Sequence, residues 1–371
     1  MSLSNSQPVV PIDWNTIKLQ TLVQTNKLIT VESSLSIEEA FNTLIKYNLT
    51  SLPVRLSHSP QTPIADQYLA FNYNDLNSYL LLALNKVSVA DPTITADCQN
   101  GKPVKVGDFI TVAENKLKFS TLDLNDSLDM AIDILGKGIH RLAILDTPNN
   151  TILGILSQRR LIKYIWDNAR LFKNIQPILN KSLRELQIGN YNTQNFKIQQ
   201  SRVISINGDE PLIKALFKMH HEKISSIAVV DNQFNLLGNI SVTDVKHVTR
   251  TSQYPLLHKN CRHFISIILN SRGLENGKDS FPIFHVYPSS SLARTLAKLV
   301  ATKSHRLWIV QQPSASIDSA TSSTSSSTTT LDQDFTGLYE KEYRTGKLIG
   351  VVSLTDILFV LAKQNTNSAT N

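Results

Sequence analysis

The sequence predicts a mixed α/β (α+β) fold assembled from four copies of one small unit. Three observations carry this. A short cassette recurs as LAFNYNDL (69–76), GILSQRRL (154–161), GNISVTDV (238–245) and GVVSLTDI (350–357). An apolar run of strand length precedes each cassette, and a stretch with helical periodicity precedes each run. The fixed polar positions Asn72, Ser157, Ser241 and Ser353 fall at two nearly equal intervals and one longer one. That is the pattern of an internal repeat with one insertion.

In chain order, residues 1–27 form an N-terminal segment and 28–85 the first repeat. Its helix is SIEEAFNTLIKYN (36–48) and its strand LTSLPVR (49–55). A polar, Pro-containing loop separates that strand from the cassette. Residues 86–117 read as an irregular linker. The second repeat (118–172) carries SLDMAIDILGKG (127–138), where Leu128, Ala131, Ile132 and Leu135 share one helical face. Its strand is IHRLAILD (139–146), and LIKYIWDNARLF (161–172) is a second helix. A linker (173–199) leads to the third repeat (200–250). This contributes VISI (203–206) as a leading strand, the helix PLIKALFKMHHEK (211–223) and the strand ISSIAVVD (224–231). Residues 251–281 are a further linker, helical at HFISIIL (263–269) and a candidate partner surface. The fourth repeat (282–362) has FHVY (284–287), SLARTLAKLVATK (291–303) and SHRLWIVQ (304–311), and a tail follows (363–371). Ser34, Asp126, Asp209 and Ser290 precede the four helices and suit N-caps.

A Ser/Thr-rich insertion at 312–345 splits the fourth hairpin. It is too polar to bury a core and is expected to be disordered. A long hairpin loop costs little, because closure entropy grows slowly with length. A phosphorylatable tether and a tolerated surface insertion both fit it. One unit cannot cover both faces of so small a sheet. The four should therefore pair sheet to sheet, in two pairs.

The chain has 371 residues, 41% of them hydrophobic, which is enough for cores of this kind. No apolar run reaches the roughly 20 residues of a membrane span. The start MSLSNSQPVVP lacks the features of a secretory signal. There are two cysteines, Cys98 and Cys261, and no CxxC pair, which points to a reduced, intracellular setting. The net charge of +7 fits a solvated basic surface or a preference for anions. No dense Lys/Arg run with interleaved aromatics argues for nucleic acid. GxSxG, P-loop and HExxH patterns are missing, and the repeats leave no room for a catalytic domain. The chain therefore reads as a non-enzyme. His258, Cys261 and His263 lack a second ligand group and read as structural, with no metal expected.

Three places after the fixed Ser or Asn stand Asp75, Arg160, Asp244 and Asp356. An ionised carboxylate only accepts hydrogen bonds, so each aspartate suits the two hydroxyls of a ribose. The same aspartates also suit the first turn of a helix, where the dipole favours negative charge. Arg160 cannot accept. It fits repelling a nucleotide from that slot, or reaching a phosphate elsewhere. His140–Arg141 and His305–Arg306 occupy equivalent places before the strands of the second and fourth repeats. Guanidinium groups suit phosphate through paired bonds.

These residues resemble CBS (cystathionine-β-synthase) repeats: an apolar strand, G-h-h-S-x-x-D, then a helix. Four repeats imply two Bateman modules in a disc-like, pseudo-symmetric arrangement. The gamma subunit of AMP-activated protein kinase is similar, with acid, Arg, acid, acid at the cassette position and His-Arg in its second and fourth repeats. That resemblance implies no required cofactor and an adenine nucleotide (AMP, ADP or ATP) as ligand. It implies a nucleotide-binding set of Asp75, His140, Arg141, Arg159, Arg160, Ser225, Ser226, Ser241, Asp244, His305, Arg306, Ser353, Thr355 and Asp356. Arg159 matches a phosphate-facing lysine of that subunit. Thr50 stands where it has a phosphate-facing arginine, which leaves fewer cations here.

A closer resemblance is carried by DWNTIKLQTLVQTNKLI, FNTLIKYNLTSLPVR and HKNCRHFISIILNSRGLENGKDSFPIFHVYP. These look like the fungal CBS-domain family of stress and cell-cycle regulators. That resemblance implies a non-catalytic protein restraining a type 2A-like serine/threonine phosphatase. It also implies roles in glucose response, DNA replication and cell separation, in the cytoplasm and nucleus. A homodimer is compatible with it; nucleic-acid and membrane partners are not expected. The alternative is a gamma-type subunit of a kinase heterotrimer.

Overall fold

The structure is a computed structural model that describes residues 11–23, 28–56, 59, 62–113, 119–189, 203–276, 284–312 and 346–368. The expected disorder of the Ser/Thr-rich insertion falls outside these residues, apart from Gln312. Each repeat forms one three-stranded sheet. Repeat 1 is β1 (Val31–Glu32), α1 (Ile37–Lys46), β2 (Ser51–Arg55), β3 (Tyr68–Asn72) and α2 (Tyr73–Ala83). Two helices follow, α3 (Pro92–Gln99) and α4 (Val106–Val112). Repeat 2 is β4 (Ser120–Asp123), α5 (Leu128–Gly136), β5 (Arg141–Asp146), β6 (Thr151–Ser157) and α6 (Gln158–Asp167), with the single turn α7 (Gln176–Leu179) after it. Repeat 3 is β7 (Ser205–Asn207), α8 (Leu212–His221), β8 (Ser226–Val230) and β9 (Leu236–Ser241), closed by a 3-10 helix (Val242–His247). After α9 (Cys261–Asn276), repeat 4 is β10 (His285–Val286), α10 (Leu292–Thr302), β11 (Arg306–Val310), β12 (Leu348–Ser353) and a C-terminal helix (Leu354–Ser368). In every sheet the first strand runs parallel to the middle one, across a helical connection. The middle and last strands form an antiparallel hairpin.

Local chemistry corrects three expectations. The helices are preceded by Ser36, Ser127, Pro211 and Ser291, not by Ser34, Asp126, Asp209 and Ser290. Asp126 and Ser290 instead close the turn from strand to helix, accepting from the N–H groups of Asp123 and Tyr287. Within the expected irregular linker (86–117), the described residues 86–113 hold two helices. Asp91 caps α3 with Pro92 in its first turn, and Val106, Phe109 and Ile110 bury one face of α4. The helix after the second cassette starts at Gln158 rather than 161, because the Ser157 hydroxyl accepts from the Arg160 N–H.

The four connecting segments share one task. Residues 17–19, 104–106, 181–183 and 259–261 each exchange two backbone hydrogen bonds with a helix start. Leu19 N–H reaches Asp126 O and Leu128 N–H reaches Ile17 O. Val106 pairs likewise with Leu35, Leu183 with Ser290, and Cys261 with Glu210. The leader of repeat 1 therefore docks on repeat 2 and the leader of repeat 2 on repeat 1. Repeats 3 and 4 exchange leaders in the same way. This crossing ties the repeats into two modules. It also packs one face of α9 into the core: Phe264, Ile265 and Ile268 are buried, and Ile265 fills the space over Gly238, while Arg262, His263 and Ser266 stay exposed.

Helices join the modules to each other. One core unites repeats 1 and 3 and another unites repeats 2 and 4. Across the first, Asn77 donates to Leu216 O at 3.0 Å. Across the second, Gln158 donates to Thr355 Oγ1 at 2.8 Å. The ring thus runs 1–2–4–3. Gly136 marks a close joint between repeats 2 and 4, where an added Cβ would lie 3.0 Å from the backbone of Leu358 and Phe359. Gly136→Val should destabilise the fold by about 1–3 kcal/mol through overpacking. Urea unfolding reads this as a lower midpoint, and an unchanged midpoint would show that the joint can slide apart.

Candidate functional site

Arg141 and Arg306 open the middle strands of repeats 2 and 4, opposite Ser157 and Ser353 in register. Each reaches across its module. Arg141 Nη2 donates to Thr50 Oγ1 at 2.7 Å, and Arg306 Nη2 to Ser225 Oγ at 2.8 Å. Arg306 Nη1 also donates to Ser226 O at 3.2 Å. Thr50 and Ser225 are equivalent residues just ahead of the middle strands of repeats 1 and 3. The pseudo-symmetry thus positions both guanidinium groups with one device. Arg306 Nε is buried without a hydrogen-bond partner.

His140, His305 and Arg159 complete a cationic recess. Burial, then the charges of Arg159, Arg141, His140 and Arg306, push the His305 imidazole down to about 4. Burial and Arg141 lower His140 as well. Both histidines and Arg159 are exposed to water, so this group is open to solvent and not a sealed core. Burial and Arg159 bring Arg141 down to about 10, still charged at neutral pH. Burial lowers Arg306, and the Asp356 carboxylate opposes that shift in part. Among the described residues, no ion pair within 4.0 Å involves Arg141, Arg159, Arg160 or Arg306. A group of like charges held this way is suited to an anion.

The recess sets a pH dependence. In the unfolded chain His305 titrates near 6.5; in the fold it stays neutral down to about 4. The unfolded state takes up the proton first. Its contribution to stability is therefore full above 6.5 and fades as pH falls toward 4. A bound anion offsets this penalty, so anion binding should take up protons in that window. Titration calorimetry in two buffers of different ionisation enthalpy measures the uptake. Proton release would count against the recess as the anion site.

The cassette aspartates make the capping contacts that the sequence also allowed. Asp75, Asp244 and Asp356 accept through Oδ2 from the N–H groups of Asn72, Ser241 and Ser353, at 2.7–2.8 Å. Asp75 and Asp244 are buried. Ser353 Oγ also donates to Asp356, Ser241 Oγ to Ser225 O, and Thr355 Oγ1 accepts from Gln158. Ser241 and Ser353 thus bond within their own repeats, while Thr355 bridges repeat 4 to repeat 2. Arg160 lines the cleft between repeats 1 and 2, together with Arg141 and Thr50. Gln158 and Thr50 were not among the expected site residues. The signal for Gln158 was an amide where the other cassettes have Tyr73, Val242 and Leu354.

A family model described as the CBS domain matches residues 107–167 and 197–250. These contain the two repeats with short hairpins. The crystal structure of protein MJ1225 from Methanocaldococcus jannaschii, whose description relates it to the gamma subunit of AMP-activated protein kinase, has a similar fold. Its TM-score is 0.60 at 14% identity, covering 92% of this chain and 99% of that one. Protein SDS23 of Vanderwaltozyma polyspora is 61% identical over 96% of this chain and 69% of its own length. The chain belongs to the SDS23/SDS24 family. Within that family, protein SDS24 of Saccharomyces cerevisiae is 54% identical over 96% of this chain and 77% of its own length. The SDS23/SDS24 fold is therefore a CBS-repeat fold with helices around four small sheets. No described helix is long and apolar enough to cross a membrane.

Proposed function

We propose that the chain is a non-catalytic regulator that holds the phosphate of an adenine nucleotide in its cationic recess and restrains a type 2A-like serine/threonine phosphatase. The observation that carries the nucleotide half is the half-buried Arg306, anchored by Ser225 and Ser226, with its Nε unpartnered and further cations beside it. Asp356 adjoins the recess and supplies a carboxylate acceptor for ribose hydroxyls. Membership of the SDS23/SDS24 family supports the regulatory half. The protein acts in the cytoplasm and nucleus, in stress response and cell-cycle control.

Two measurements test this. Titration with AMP, ADP and ATP should give saturable heat, and none at millimolar nucleotide would remove the nucleotide half. Affinity purification from cells in high and low glucose, read by mass spectrometry, should recover a phosphatase catalytic subunit. Recovery of kinase catalytic and beta subunits in its place would overturn the phosphatase half.

A further inference from the structure

The helix joints between the two modules are built alike in every repeat, and one of them is left open. Counted from the first helical residue, the same position holds Ile45 in α1, Gly136 in α5, His220 in α8 and Val300 in α10. Gly136 meets the backbone of Leu358 and Phe359 in the C-terminal helix. His220 Nδ1 shares a hydrogen bond with Ser78 Oγ of α2 at 2.9 Å. Val300 packs into the core of repeats 2 and 4, where α6 lies against α10. In these three joints the cover is an α-helix that follows a cassette. Ile45 has no such cover and is 49% exposed, as is Tyr47 just beyond it. The reason lies in repeat 3. Ser78 and Phe359 stand three places past their cassette aspartates, within continuing helices. The same place in repeat 3 is His247, and there the 3-10 helix ends, with Val248 turned into the core.

We infer that this open joint is the docking surface for an acidic amphipathic α-helix of another protein. Shape argues for a helix. The three closed joints of the same construction are each filled by one, and an apolar stripe laid on Ile45 and Tyr47 repeats that packing. Charge argues for an acidic one. The carboxylates of α1 are already engaged: Glu38 accepts from the Tyr79 hydroxyl at 2.6 Å and Glu39 from the Ser36 N–H. The cations are not so engaged. Lys46 lies over the Tyr47 ring, 5.3 Å from its centroid, and Lys246 is exposed next to His247. Among the described residues, neither lysine enters an ion pair within 4.0 Å. An apolar centre with a basic rim selects an apolar stripe flanked by Asp and Glu.

The test places the photo-cross-linking residue benzoylphenylalanine at Tyr47 of the full chain, irradiates it in cells and sequences the cross-linked peptide by mass spectrometry. The same residue at Met130, an exposed position of α5 whose joint is closed, is the control. The Tyr47 probe should capture a segment of another protein with apolar residues at helical spacing and an excess of Asp and Glu, and the Met130 probe should not capture it. Ile45→Gln should lower the yield about tenfold, as for loss of a central anchor. Glutamine is a good helix former at an exposed site, so this variant is expected to keep its thermal midpoint. Lys246→Glu, a separate surface change, should lower the yield as well. No cross-link, a cross-link within the chain or to a second copy, a segment without that pattern, equal capture from Met130, or a yield that neither variant changes would each overturn the inference. A phosphatase that still co-purifies while the Tyr47 probe captures nothing would remove this face and leave the regulatory reading standing.

Discussion

Arg306→Ala is expected to weaken adenine-nucleotide binding by about tenfold to a hundredfold. A hydrogen bond to a charged group contributes about 1.5–3 kcal/mol, and each 1.4 kcal/mol is about tenfold in affinity. Arg306 is the residue to change because its geometry is fixed before any ligand arrives. Two of its nitrogens are committed to Ser225 and Ser226, and the third is buried and unpartnered. The free protein should also lose some stability, because the contacts to Ser225 and Ser226 and the attraction to Asp356 go with the guanidinium. Calorimetry with AMP reads the affinity and thermal unfolding reads the stability. Unchanged affinity in a folded variant would move the phosphate site elsewhere.

Much of this architecture was legible in the sequence because the repeats obey local rules. The helical period of Leu128, Ala131, Ile132 and Leu135 gave α5, and all four are buried. The cassettes marked the end of every hairpin, and the His-Arg pairs fell at strand starts. What stayed hidden was non-local. Nothing within 86–117 or 251–281 shows that each segment docks on the repeat before it, since the partner's backbone supplies the bonds. The N-caps slipped by one or two places because consecutive Ser and Asp residues compete for one turn. The cassette aspartates remained double-valued because one carboxylate has two oxygens. One oxygen can cap a helix while the other meets a ligand, and the sequence does not divide them.

The largest stability effect is expected at Trp14. Its side chain is fully buried and packs edge-on against Phe172, with ring centroids 6.2 Å apart. Its backbone N–H donates to Asn174. Ile12 N–H donates to Leu171 O and Ile12 O accepts from Lys173 N–H, and Lys173 pairs with Asp13 at 3.0 Å. Truncating a buried aromatic of this size costs about 3–5 kcal/mol, so Trp14→Ala should lower the unfolding midpoint substantially. The location of the loss is as informative as its size. Trp14 belongs to the core of repeats 2 and 4, yet it lies in the segment that leads into repeat 1. If the exchanged leaders couple the repeats, hydrogen exchange should rise in β4–β6 and also in β1 and β2, while repeat 3 stays protected. If exchange rises in repeat 2 alone, the leader is a local patch and the crossing does not transmit stability. The same leader supplies Leu22 and Val23 to the cleft between repeats 1 and 2. Loss of the Trp14 anchor should therefore loosen that wall, which Arg141 shares, while Arg306 keeps its bonds to Ser225 and Ser226 in the other module.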